Sequence, residues 1–99
     1  MRNSFDARVS YDANADTLYI YSVDPISVVR SVEDGRGIVW RYAEDGQVVG
    51  ATVMDFHDFW AERPDELASE LALRFGVARI VAAAIVDLAK QSGRPNWLT

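Results

Sequence analysis

The apolar residues of this 99-residue chain change their spacing once, close to Pro64. Before that point apolar and polar residues alternate, as in the stretch 5–11, and this spacing of two is typical of β-strands. After it, Leu67, Leu71 and Phe75 follow one another at intervals of four, which is typical of an amphipathic helix. We therefore predict an α+β protein in which an antiparallel sheet is followed by helices.

Turn-forming residues divide the first half into five predicted strands. Asp and Asn are frequent in the stretch 12–16, Pro25 interrupts a later run, and Asp-Gly pairs occur at 34–35 and 45–46. These residues favour turns because they accept local hydrogen bonds or adopt unusual backbone angles. The strands predicted between the turns are 5–11, 17–21, 26–32, 38–42 and 48–54. Together they predict a five-stranded antiparallel β-meander.

The second half predicts two C-terminal α-helices packed on that sheet. Pro64 suits the first position of a helix, where the missing N–H costs nothing. Gly76 interrupts the helical pattern, and a second apolar stripe then continues until Gly93 and Pro95. The members of this stripe are Val77, Ile80, Val81, Ala84, Ile85 and Leu88. Alanines between them widen the apolar arc, so we expect the second helix to contact neighbours on two sides.

Length and composition exclude several classes of protein. A chain of 99 residues forms one domain, with a sheet region at 1–57 and a helical extension at 58–99. It has no cysteine and one histidine, which excludes disulfides, zinc–thiolate sites, iron–sulfur clusters and a histidine-rich metal centre. The N-terminus has no apolar run of signal-peptide length, and the most apolar stretch, 80–86, is far shorter than the ~20 residues of a membrane span. We therefore expect a cytoplasmic protein.

The net charge of −5 is distributed unevenly along the chain. Residues 1–62 carry five arginines and eleven acidic residues, a net charge of −6, whereas residues 63–99 carry five basic and four acidic residues, a net charge of +1. This balance disfavours unspecific binding to nucleic acid or to an anionic membrane. An acidic first half suits contact with a basic partner, and a solvated acidic surface without any partner explains it as well.

Part of the chain resembles a known protein family. The run YDANADTLYI at 11–20 resembles the opening signature of DUF2283, a family of unknown function. Two Asp-Gly pairs, the run Val-Val-Gly at 48–50 and Asp55 resemble its closing hairpin, so the resemblance covers residues 9–57. It implies a small antiparallel β-domain of prokaryotic or phage type with no assigned activity. Members often sit beside small toxin-like proteins, which implies an antitoxin or immunity role. The helical segment lies outside the resemblance.

The best candidate for a metal or acid–base site lies just after the last predicted strand. On a strand, Asp55 and His57 would project to the same face, and Asp58 or the pair Asp12 and Asp16 would complete a set of ligands. The alternative is a surface histidine beside acids that cap turns. No serine lies in a nucleophile elbow, and no glycine-rich phosphate-binding loop occurs. We therefore predict a protein that is not an enzyme and binds no metal or cofactor.

The segment 65–90 also resembles a helix-turn-helix. Ala72, Gly76, Val77 and Ile85 fall at the spacing that this motif uses for its helix crossing, its turn and its apolar anchors. The candidate DNA contacts are Arg74, Arg79 and Lys90. The other outward residues of the second helix are alanines, which cannot hydrogen-bond a base edge. A helical hairpin packed on the sheet explains the same pattern, so a DNA-binding transcriptional regulator is the alternative function.

The favoured function is protein binding without catalysis. Several predicted strands are apolar on both faces, so a further surface is expected to cover the sheet, and a second copy of the chain is the simplest candidate. Tyrosine and tryptophan are frequent in such contacts. The candidate interface residues are Tyr19, Tyr21, Trp40, Tyr42, Ala83 and Val86. We predict a homodimer that acts as an antitoxin-like partner of a small basic protein; a metal-dependent enzyme is the least favoured alternative.

Overall fold

The computed structural model describes residues 7–23 and 27–92. In these residues the strands are β1 (Ala7–Asp12), β2 (Thr17–Ser22), β3 (Arg30–Glu33), β4 (Ile38–Tyr42) and β5 (Val48–Val53). A short 3-10 helix (Trp60–Glu62) and the helices α1 (Pro64–Phe75) and α2 (Arg79–Ser92) follow. All described strand pairs are antiparallel. The predicted α+β class, with a five-stranded antiparallel sheet and two C-terminal helices, is confirmed.

The strands lie in the order β1-β2-β5-β4-β3. β1 and β2 form one hairpin, β3 to β5 form a meander, and β5 joins the two parts by pairing with β2. The sheet therefore departs from a strictly sequential order at one place, because β5 rather than β3 lies beside β2. As the central strand, β5 is buried along residues 49–53.

The third strand is shorter than predicted. It begins at Arg30, whereas the sequence predicted 26–32, and Ile26 lies outside the described residues. Val28 and Val29 are 43% and 61% exposed, and neither belongs to the strand. β3 pairs only with β4 and is exposed along its length, so little burial is available to extend it. The branched residues that suggested a longer strand therefore remain at the surface.

Other predicted strand ends differ by one residue. β5 ends at Val53, although the Met54 N–H still bonds to the Gly37 carbonyl, because Asp55 turns the chain with a φ of 55°. β1 continues to Asp12, one residue beyond the predicted end. The predicted start of the first strand and the residues predicted to stop the second helix, Gly93 and Pro95, lie outside the described residues.

Two rows of side chains on one face of the sheet form the centre of the core. The strand register places one residue each from β2, β5 and β4 side by side in each row. All six side chains are fully buried: Leu18, Val53 and Ile38 in one row, Ile20, Ala51 and Trp40 in the next. Burying a large apolar side chain contributes about 1.5–3 kcal/mol, so these rows are a main source of the domain's stability.

The two helices cover this face of the sheet. α1 begins at Pro64 and ends at Gly76, which has a left-handed φ of 69° and donates its N–H to the Ala72 carbonyl. A left-handed glycine is a common way to end a helix, because it has no Cβ to clash. The start and the break predicted from the sequence are therefore correct. The buried helix residues are Leu67, Ala68, Leu71, Ala82, Val86 and Ala89.

The orientation of α2 is only partly the predicted one. Val77 and Ile85 of the predicted stripe pack against the core, but Ile80 is 78% exposed and Leu88 is 55% exposed. The residues of α2 that are buried are Ala82, Val86 and Ala89. Small side chains on the buried side allow a short distance between packed helices. Ile80 and Leu88 consequently point outward.

Candidate interaction surface

The outward side of α2 presents an apolar surface. Ile80 is 78% exposed, Val81 is 37% exposed, and Ala84 is exposed one turn further along. We call these three residues the α2 face; Leu88 continues the same row. Single exposed apolar residues are common on protein surfaces, but a contiguous group is a candidate contact site for another molecule.

Two grooves lie on either side of the α2 face. One runs between α2 and the start of α1, and its lining includes Asp65, Ala83, Asp87 and Lys90. The other runs between α2 and β1, and its lining is apolar: Ala7, Val9, Ile80, Val81, Ala84, Ile85 and Leu88. Ile80 and Ala84 line both grooves, so they form the ridge that separates them. The surface therefore consists of a ridge between two grooves.

The four aromatic residues predicted at the interface do not lie on a single surface. Tyr19 and Tyr21 lie on the sheet face away from the helices, whereas Trp40 lies on the core face in register with Ala51. Trp40 is fully buried, and Tyr42 packs against the core beneath the guanidinium of Arg30. Successive residues of a strand point to opposite faces of the sheet, so the face of each aromatic residue depends on how its strand aligns with its neighbour. The sequence alone did not determine how β2 and β4 align with β5.

The two helix residues predicted at the interface have different positions. Val86 lies at the base of the groove between α1 and α2, but it is 1% exposed and belongs to the core, so it offers almost no surface to another protein. Ala83 is half-buried and lines the groove between α1 and α2, so it remains at the candidate surface. The sequence missed Ile80 as a surface residue. The signal that could have found it was the row of alanines that widened the apolar arc of α2.

A polar network covers the outer sheet face around Arg41. Its guanidinium donates hydrogen bonds to the hydroxyls of Tyr21 (3.3 Å), Ser31 (2.9 Å) and Thr52 (3.3 Å). The hydroxyls of Tyr21 and Thr52 are also 3.2 Å apart. Burial would raise the pKa of Tyr21, but the hydrogen bonds from Thr52 and Arg41 and the charge of Arg41 lower it below its ordinary value. This face is therefore covered in large part by side chains of the same chain.

The ring of Tyr21 lies directly over Gly50. A Cβ added at Gly50 would be 2.7 Å from Cδ1 of Tyr21, which is too close for unbonded carbon atoms. We expect Gly50→Ala to lower the free energy of unfolding by about 1–3 kcal/mol, since the ring has to move and break its network. Urea denaturation measures the loss that Gly50→Ala causes in the unmodified chain and the loss that it causes in a Tyr21→Ala variant. A loss of equal size in both backgrounds would contradict the close contact.

The candidate DNA contacts Arg74 and Arg79 bind other parts of the same chain. Arg79 donates to the Ser69 hydroxyl (2.9 Å) and to the Asp65 carbonyl (3.1 Å). Arg74 donates to the Tyr42 hydroxyl (3.1 Å) and lies over the ring of Trp40. Lys90 lines the groove between the helices. The first two arginines therefore join α1 to α2 and to the sheet, and this role needs no DNA.

Asp16 joins the turn after β1 to the turn after β5. Its carboxylate accepts hydrogen bonds from the Tyr11 hydroxyl and from the backbone N–H groups of His57 (2.8 Å) and Asp58 (3.0 Å). Its carbonyl accepts the N–H of Phe56 (3.0 Å). Burial would raise the pKa of Asp16, but these donors to the carboxylate and the charge of His57 lower it below its usual value. Burial, the bond to Asp16 and nearby carboxylates raise the pKa of Tyr11.

The candidate metal and acid–base residues lie in turns or make contacts within the fold. Asp55 lies in a turn rather than on a strand, so it does not share a strand face with His57 as predicted. The imidazole of His57 packs edge-on against the rings of Tyr11 and Phe56, with Nε2 buried and without a hydrogen-bond partner in the described structure. Asp12 accepts backbone N–H groups of its own turn. Among the described residues, no group of three acidic or histidine side chains could hold a metal ion.

These observations define an α+β protein whose most distinctive surface is an apolar helix face beside a five-stranded sheet. The chain belongs to a family through this sheet: residues 8–56 match the model of DUF2283, described as a protein of unknown function. The resemblance stated from the sequence is thus confirmed, and the two helices extend beyond it. Comparisons with curated proteins and with solved structures find no match. Within residues 7–23 and 27–92, neither helix has the length and apolar character needed to cross a membrane.

Proposed function

We propose that this chain is a non-catalytic protein-binding module that uses the α2 face as its contact surface. The observation that carries the proposal is the exposure of Ile80 on a helix whose buried side consists of two alanines and a valine. An isoleucine exposed to water gains about 1.5–3 kcal/mol when a partner covers it. The grooves on both sides supply further apolar area for that partner.

The rest of the described structure supports this proposal by giving other candidate residues local roles. Arg79 joins α2 to α1, Arg74 joins α1 to the sheet, and Asp16 holds two turns together. These contacts give structural roles to two of the arginines that suggested DNA binding and to one of the acids that suggested metal chemistry. The small basic partner predicted from the charge of residues 1–62 remains a prediction, and the experiment below tests it too.

The proposal is tested by photo-cross-linking in cells that produce the protein. A photoreactive benzoylphenylalanine replaces Ile80 in one variant and Leu73 in the control variant. Leu73 matches Ile80 in type and exposure, since it is an aliphatic residue that is 75% exposed on α1. Unlike Ile80, it lines neither groove. We expect a protein adduct from position 80 and little from position 73. Equal adducts from both positions, or none from position 80, would contradict the proposed contact surface.

A further inference from the structure

We propose that the partner bound at the α2 face is a second copy of this chain, with the two α2 helices antiparallel. This inference rests on the proposed function, because it names the partner of the same surface. A two-fold axis passes close to Ala84, so that every contact between the copies occurs twice. The arrangement follows from the shape and from the charges of the surface.

The shape of the surface is complementary to itself. Ile80 and Ala84 form a ridge between two grooves, and helices pack when the ridge of one enters a groove of the other. Ala83 and Ala84 lie at the middle of α2, where small side chains allow two helix backbones to come close. A two-fold contact requires one patch that fits a copy of itself, and a ridge beside a groove meets this requirement.

The charges at the two ends of α2 are complementary as well. At the first end, the guanidinium of Arg79 lies 3.6 Å from the carboxylate of Asp65, whose side chain is 97% exposed. At the other end, Lys90 lies in the last turn of α2, about 16 Å further along the axis at the usual rise per residue. Asp65 and Lys90 line the same groove. Each end of the contact surface therefore carries both charges: Asp65 with Arg79 at the first end, and Asp87 with Lys90 at the other.

Antiparallel pairing brings opposite charges together at both ends. It places Lys90 of the second copy beside Asp65, and the reciprocal pair forms at the other end. Asp87 of the second copy then lies on the same side as Arg79, which adds a further attraction. Parallel pairing would bring equivalent residues together, with Lys90 against Lys90. The charges thus favour the antiparallel arrangement and set the register of the two helices.

A contact made by one helix and its flanking grooves is small for a protein interface. Interfaces of this size class bind with modest affinity, so we expect a dissociation constant of the order of micromolar. The dimer therefore forms and dissociates with concentration, and its affinity responds measurably to single charge changes.

The test uses two charge-reversal variants, Asp65→Lys and Lys90→Asp, with the purified full-length chain in sedimentation velocity. Each variant alone places like charges together twice, and we expect about a tenfold weaker dimer for each. In an equimolar mixture of the two variants, the lysine introduced in one chain meets the aspartate introduced in the other, and opposite charges face each other at both ends. We expect the mixture to dimerise about as well as the unmodified chain.

The control is Glu44→Lys, which makes the same charge change on the exposed turn between β4 and β5. It should leave the dimer unchanged alone, and its mixture with Lys90→Asp should dimerise to a degree between those of the two separate components. Thermal melting of each variant checks that the fold is intact. Variants that dimerise like the unmodified chain, or a mixture no better than its components, would overturn the antiparallel arrangement.

Failure of this inference is distinguishable from failure of the proposed function. An adduct of twice 11.1 kDa from position 80 supports the second copy. An adduct with a different protein, together with a purified chain that stays monomeric, overturns the second copy and keeps the α2 face as a contact surface. The absence of any adduct overturns both.

Discussion

An Asp16→Asn variant is expected to unfold with a free energy about 2–3 kcal/mol lower than that of the unmodified chain. The carboxylate of Asp16 accepts three hydrogen bonds that join the turn after β1 to the turn after β5. An asparagine keeps the size of the side chain, but its amide nitrogen faces a donor and leaves it without an acceptor. Urea denaturation followed by tryptophan fluorescence measures the loss.

Asparagine is the suitable replacement because of the backbone at this position. Asp16 has a left-handed φ of 52°, a conformation that asparagine tolerates and alanine does not. Asp12→Asn is the matched control, since Asp12 is exposed and, among the described residues, accepts only the N–H groups of Asn14 and Ala15. We expect a much smaller loss for the control. Equal losses at positions 12 and 16 would contradict the role of Asp16 as a link between the two turns.

The pH dependence of the same variant's stability tests the contribution of the Asp16 charge. The lowered pKa means that the folded chain binds this proton more weakly than the unfolded chain does. The stability contributed by Asp16 is therefore present above the unfolded value of about 3.9 and is lost as the pH falls through the folded value. The difference between the unmodified chain and Asp16→Asn should shrink below about pH 4. A difference that stays constant down to about pH 2 would contradict it.

Replacing Ile80 by Asp is expected to weaken the dimer at least about 100-fold. The two-fold arrangement places the new carboxylate inside the contact twice, once from each copy, and neither has a matching partner there. The free energy of unfolding of the monomer should change little, since Ile80 is 78% exposed. Sedimentation velocity gives the association constant, and urea denaturation at low concentration gives the stability.

Leu73→Asp is the matched control for this substitution. Leu73 is 75% exposed on α1 and lies outside both grooves, so the same change of side chain should leave association unaltered. Val86→Glu does not serve this purpose, because Val86 is buried in the core and its replacement would unfold the chain. Equal weakening at positions 73 and 80 would indicate a general effect of charge and would contradict the assigned surface.

Most of the fold could be predicted because local signals agree with the tertiary structure. The Asp-Gly pair at 45–46 makes the turn between β4 and β5, and Pro64 and Gly76 mark the ends of α1. These signals act over a few residues and need no knowledge of distant contacts. The position of β5 beside β2 joins residues such as Leu18 and Val53, which are far apart in the chain, and no local pattern determines such a pairing.

The candidate site could be predicted only in part, because it depends on which side of α2 faces the core. An apolar arc that extends around most of a helix is compatible with several orientations. Ala82 and Ala89 face inward because α1 and the sheet leave room for small side chains, and Ile80 then faces outward. Trp40 was misplaced for a similar reason, since its face depends on the register between β4 and β5.

The most direct test of the account is the mass of the unmodified chain in solution as a function of concentration. Sedimentation velocity from about 1 to 500 micromolar covers the range expected for an interface of this size. The account predicts a weight-average mass that rises from 11.1 kDa towards twice that value, with the rise for Ile80→Asp moved to about 100-fold higher concentration. A mass of 11.1 kDa at every concentration would contradict the second copy as the partner of the α2 face.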